Sequence, residues 1–133
     1  MKDEKTFILG VGAQKAGTTW LYEYIQSSPN ANFGQLKEYH VWNMKLSKKK
    51  ISLLEKSQLK FTSDDLLRWL MITEKQFYEN YFHSIMNNNF KITGDITPQY
   101  AALSSFHLQL IKNRLETFGF NVKAIYLIRD PVE

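Results

Sequence analysis

The chain has 133 residues, 44% of them hydrophobic and 14% aromatic, enough for one cored domain and too apolar for a disordered chain. Its formal net charge of +4 suits an anionic ligand but falls far short of the charge density of a nucleic-acid wrapper. The absence of cysteine excludes disulfides and thiolate metal sites; with no apolar run of membrane-spanning length and a charged opening, Met1-Lys2-Asp3-Glu4-Lys5, a soluble cytoplasmic protein is expected.

In chain order, residues 7–12 form a short apolar run ending in glycine, as a buried parallel strand does. Residues 18–26 follow as a helix, stopped by Ser27-Ser28-Pro29 because proline cannot continue one. A short second strand is expected around Asn32-Phe33, ahead of Lys37-Glu38-Tyr39-His40-Val41-Trp42. Residues 45–60 are rich in lysine and serine around Lys48-Lys49-Lys50 and read as a surface excursion. Ser63 is expected to cap a helix carrying Leu66, Leu67, Leu70 and Met71. Thr73 with Gln76 reads as a capping box for a helix to about Met86, with Phe77, Tyr78, Tyr81, Phe82 and Ile85 turned to the core.

Residues 91–94 form a brief strand leading into Gly94-Asp95-Ile96-Thr97-Pro98-Gln99-Tyr100. Residues 104–118 place Leu108, Ile111, Leu115 and Phe118 on one helical stripe, with Gly119 as the stop. Residues 122–128, β-branched and aromatic, make a second strong strand ending in Arg129-Asp130-Pro131. Strands interleaved with helices give an α/β fold, a single domain with a mainly parallel sheet flanked by helices. A buried strand so close to the last residue predicts a truncated domain, or one half of a split gene, that associates through its uncovered edge.

Residues 12–19, Gly-Ala-Gln-Lys-Ala-Gly-Thr-Thr, carry the chemistry. A strand, a glycine-bounded loop and a helix start aim several backbone N–H groups at one point, which is an anion site. The loop is P-loop-like, but Thr18 stands where a nucleoside triphosphatase has its lysine, and Lys15 comes three residues earlier. Triphosphate hydrolysis is therefore disfavoured. A cofactor with one 5′-phosphate bearing a transferable group fits beside Lys15, held by Gly17, Thr18 and Thr19 and needing no metal. Taken singly, the loop also suits close strand–helix packing, Glu38 an ordinary surface carboxylate, and Arg129-Asp130 a strand-end ion pair. His83 and His107, both in helices, read as structural or exposed.

Four stretches in order, QKAGTTWL from Gln14, KEYHVW from Lys37, GDITPQY from Gly94 and VKAIYLIRDPVE from Val122, resemble the sulfotransferases that use 3′-phosphoadenosine 5′-phosphosulfate (PAPS). The likeness is to the bacterial and carbohydrate-type members related to the heparan sulfate sulfotransferases, and it runs from about Phe7 to the last residue. It implies that Lys15, Ala16, Gly17, Thr18, Thr19 and Trp20 form the phosphosulfate-binding stretch, with Lys15 stabilising the leaving phosphate. It implies Glu38 as the base that deprotonates a hydroxyl or amine acceptor, a saccharide by resemblance, and His40 as the rival base. In an extended segment the two would point to one side, so the sequence does not separate them. Arg129 would bind the 3′-phosphate through paired hydrogen bonds.

Relatives carry a lysine in the third motif where Ile96 stands here, leaving Lys37 or Lys91 to supply that charge. The serine that completes their 3′-phosphate site would fall beyond Glu133. Trp20 and Trp42 flank the site as either pocket lining or packing. A small-molecule or nucleotide kinase, and a nucleotide-binding fragment inactive without a second chain, are the alternatives.

Overall fold

The computed structural model describes residues 4–45, 62–87 and 89–128. Three segments form strands β1 (Lys5–Gly10), β2 (Ile92–Ile96) and β3 (Phe120–Ile125), paired in parallel in the order β2-β1-β3. In the central strand Phe7 lies opposite Thr93 and Val122, and Gly10 opposite Ile96 and Ile125. The three carboxyl ends therefore share one edge of the sheet, the edge at which open parallel sheets bind ligands. The α/β class and the parallel sheet read from the sequence are both present.

Side chains alternate across the sheet, as the two-residue period of a strand requires. Ile8 joins Leu21, Ala31, Phe33 and Ile96 in a small core beneath helix α1 (Thr18–Gln26). Phe7 and Leu9 face the other way, into a larger core with Phe120 and Val122. Helices α2 (Val41–Lys45), α3 (Ser63–Thr73), α4 (Phe77–Met86) and α5 (Ser105–Thr117) cover that second face. Most of the aromatics of the 76–82 stretch lie there as expected: Tyr78 and Phe82 are buried, and Phe7 meets Phe82 edge-on at 4.9 Å.

On the α1 face Phe33 lies against a strand position that only glycine can occupy. A Cβ on Gly94 would fall 2.3 Å from the Ile8 carbonyl oxygen and 2.6 Å from Phe33 Cε1. Gly94→Ala should cost about 1–3 kcal/mol through overpacking, read as a lower melting temperature by circular dichroism.

Several local readings are corrected. The cap of α3 is Thr62, not Ser63: the Thr62 hydroxyl accepts from Asp65 N at 3.2 Å while the Asp65 carboxylate accepts from Thr62 N at 3.0 Å. Those bonds hold the Asp65 carboxyl below its ordinary range. Thr73 opens no helix but ends α3, because its hydroxyl is bonded to the Trp69 carbonyl at 2.8 Å. Gln76, left-handed at φ 65°, turns the chain into α4. Asn32-Phe33 forms no strand beyond a single parallel bridge from Ala31 to Ile92. There the Asn32 side chain accepts from Gly34 N at 2.9 Å and turns the chain.

The third strand runs 120–125 rather than 122–128, since Leu127 pairs instead with the glycine loop. Gly119 does end α5, at φ 94°, and Ser104 caps its start by accepting from His107 N. Lys48, Lys49, Lys50 and Arg129 lie outside the described residues.

Candidate functional site

The β1–α1 loop leaves the shared edge as an extension of the sheet. Val11 N donates to Ile125 O at 2.9 Å and Leu127 N to Gly12 O at 2.9 Å, so the loop is anchored to the end of β3 and the chain just beyond it. It then turns through Gly12 (φ 129°), Lys15 (φ 58°) and Gly17 (φ 96°), and Ala16 N closes the turn on Ala13 O at 3.3 Å. Gly17 is the N-cap of α1; it offers no side-chain cap, and the first helical turn holds no acidic residue. The first N–H groups of the helix thus gather at its positive end without an internal carboxylate.

Around this point stand exposed Lys15, Gly17 and Thr19, with Thr18 buried beneath them. Trp20 is 63% exposed and stacks on Tyr24 one turn further, with ring centroids 5.4 Å apart and planes at 19°. The Lys37 ammonium donates to Thr19 Oγ1 across the loop.

Of the two lysines considered for the charge missing at position 96, only Lys37 reaches the loop. Ile96 is 1% exposed in the α1-side core and supplies none. Lys91 precedes β2, at the far edge of the sheet, roughly 16 Å from the loop edge at strand rise. Trp42 packs in the larger core, only 3% exposed, with Arg114 and Lys45 each 5.3 Å from its ring centre. Its role is packing.

A cavity of about 330 Å³ is lined by Gln35, Leu36, Lys37, Glu38, His40, Asp64 and Arg68, and Lys37 ties it to the loop through Thr19. Glu38 and His40, posed as rivals by the sequence, are partners: His40 Nε2 lies 3.0 Å from Glu38 Oε2. Asn43 Nδ2 stands 3.4 Å from the other ring nitrogen. With that amide donating, the imidazole proton sits on Nε2 and the Glu38 carboxylate accepts it. The two do not meet through an extended segment, since His40 is left-handed at φ 56°.

What holds this segment is a buried carboxylate in the third motif. Asp95 is fully buried and accepts from Tyr78 OH at 2.8 Å, Tyr100 OH at 2.6 Å and Thr97 Oγ1 at 2.7 Å. Thr97 Oγ1 in turn accepts from the backbone N–H of Tyr39 at 3.0 Å and of His40 at 3.2 Å, and Tyr100 OH from Val41 N at 3.1 Å. Burial raises the Asp95 carboxyl above the usual carboxylate range, against the pull of its hydrogen bonds. Burial and the neighbouring Asp95 push the Tyr78 and Tyr100 phenols well above theirs.

The structure places Lys15, Gly17, Thr18 and Thr19 at the loop and Glu38 and His40 in the cavity, links the two through Lys37, and adds Gln35, Asp64 and Arg68 to the cavity wall. The sequence pattern does not mark Gln35, Asp64 and Arg68, because Gln35 lies just ahead of the stretch from Lys37 to Trp42 and the other two on the polar side of an amphipathic helix. Among the described residues no helix is long and apolar enough to cross a membrane, and no three His, Cys, Asp or Glu residues cluster to hold a metal. No family model, curated protein or solved structure matches the chain.

Proposed function

We propose that this chain is a sulfotransferase domain, P-loop-like at its β1–α1 loop, that moves a sulfuryl group from PAPS to a hydroxyl or amine of an acceptor, a saccharide in the favoured reading, in the cytoplasm. The observation that carries this is the contact of Lys37 with Thr19, which ties the segment holding Glu38 to the first turn of α1, a helix start with no side-chain cap. The residue types fit the nucleotide: backbone N–H groups at 17–19 and two ammonium groups for a phosphosulfate, with no carboxylate in the first helical turn to repel it. Bound there, the nucleotide supplies an activated sulfuryl group.

Lys15 and Lys37 hold the anionic bridge and balance the charge left on the phosphate side. Glu38 takes the proton of the acceptor O–H or N–H, and His40 orients the carboxylate that receives it. A positioned base of this kind contributes about 10²–10⁴-fold. Arg129 would hold the 3′-phosphate. The proton ends on Glu38, the sulfuryl group on the acceptor oxygen or nitrogen, and adenosine 3′,5′-bisphosphate leaves.

Calorimetric titration of the chain with adenosine 3′,5′-bisphosphate, against ATP with magnesium, tests the reading. Micromolar binding of the bisphosphate with none of ATP is expected. A preference for ATP with magnesium would make the domain a kinase and end the proposal.

A further inference from the structure

Glu38 and His40 stand on a segment without regular secondary structure, so their geometry depends on what bonds its backbone. The N–H groups of Tyr39, His40 and Val41 are held from the sheet side by Thr97 and Tyr100. The carbonyl groups are held from the opposite side by α3. Arg68 Nη2 donates to Glu38 O at 3.0 Å and Arg68 Nε donates to Tyr39 O at 3.3 Å. None of the ion pairs among the described residues includes Arg68, so its fork is engaged by neutral oxygens and lies in the wall of the cavity.

His40 adds the reason such a clamp is needed. Its φ of 56° lies where an L residue pays about 1–3 kcal/mol and stays only if its neighbours over-determine it. The peptide groups on both sides of Tyr39 are pinned from two directions, and that leaves the strained residue one conformation. In it, the imidazole Nε2 meets the Glu38 carboxylate.

We infer that Arg68 is a positioning residue: by holding the carbonyls of Glu38 and Tyr39 it fixes the turn that sets the Glu38 carboxylate against His40 in the cavity. The inference rests on the proposed role of Glu38, although the clamp itself is a matter of geometry. A planar guanidinium with two donors in a fixed fork suits two successive carbonyls, which a lysine ammonium does not reproduce. Position 68 belongs to none of the four stretches that carry the family resemblance.

The test is the imidazole nitrogen–proton correlation spectrum of the ¹⁵N-labelled chain, at a pH where histidine is neutral. His40→Gln identifies the His40 signal among those of His83 and His107. The wild type should show His40 as a fixed Nε2–H tautomer. In Arg68→Gln both His40 nitrogens should move toward exchange-averaged shifts, in Arg68→Lys part of the way, while His83 and His107 stay in place. A folded Arg68→Gln with wild-type His40 shifts overturns the inference. Should Arg68→Gln fail to fold, Arg68→Lys decides in the same way, an unchanged His40 overturning it and an averaged one supporting it. Failure of the wild type to bind the bisphosphate would sink the functional reading alone, since the tautomer readout still decides the role of Arg68.

Discussion

Asp95→Ala is expected to cost about 3–5 kcal/mol, a large share of the 5–15 kcal/mol that ordinarily separates folded from unfolded chains. The carboxylate is the shared acceptor of two phenols and a threonine hydroxyl in a site without solvent. Removing it orphans three buried donors, each worth roughly 1–3 kcal/mol, and leaves a void as well. Urea unfolding of the variant measures the loss; a change under about 1 kcal/mol would mean that the hub does not hold the second motif.

Asp95→Asn should be milder, because one carbonyl oxygen remains to accept. The pair also carries a pH signature. Burial raises the folded carboxyl of Asp95 above its unfolded value, so the protonated form is favoured on folding. The stabilisation is complete below the unfolded value and is lost as pH rises through the folded one. Wild type should therefore gain on Asp95→Asn as pH falls across that window, and a gap that stays constant or narrows would contradict the burial argument.

The second large effect concerns the two ammonium groups at the loop. Lys15→Ala and Lys37→Ala should each weaken adenosine 3′,5′-bisphosphate by about 10–100-fold, the scale of a lost hydrogen bond to a charged group. The losses should shrink as salt is raised, since the loop is solvent-facing. Lys91→Ala is the control, at the wrong edge of the sheet, and should leave the affinity unchanged. Equal losses in all three variants would reduce the loop to a general charge effect; no loss at Lys15 or Lys37 would remove the proposed phosphate site altogether.

The parts of this fold legible in the sequence are those encoded within one turn or one strand. Proline and the glycine-bounded loop placed α1 at 18–26 to the residue, because both ends are set by local chemistry. The readings at 62–65 and 73–76 went astray where two frames fit the same pattern. A hydroxyl can bond forward as a cap or back to a carbonyl four residues earlier, and Thr73 does the second. Lys15, Glu38 and His40 could be singled out by residue type and context. The hub on Asp95 and the clamp from Arg68 could not, since the bonds that tie them to residues 38–41 span some thirty to sixty positions and no local spacing records such a bond.

The uneven division of the core also sets how the molecule should breathe. Among the described residues the sheet face beneath α1 holds only a small buried group, and α1 itself buries just Thr18 and Leu21. The opposite face is braced by interlocked aromatic rings and several helices. Amide protons of α1 should therefore exchange with solvent by a local opening, at lower free energy than those of β1 and α4, which wait for global unfolding. An anion seated at the start of α1 would close that gap, so the slowing of exchange across residues 18–26 on ligand addition would report occupancy directly, even for a ligand whose acceptor is unknown.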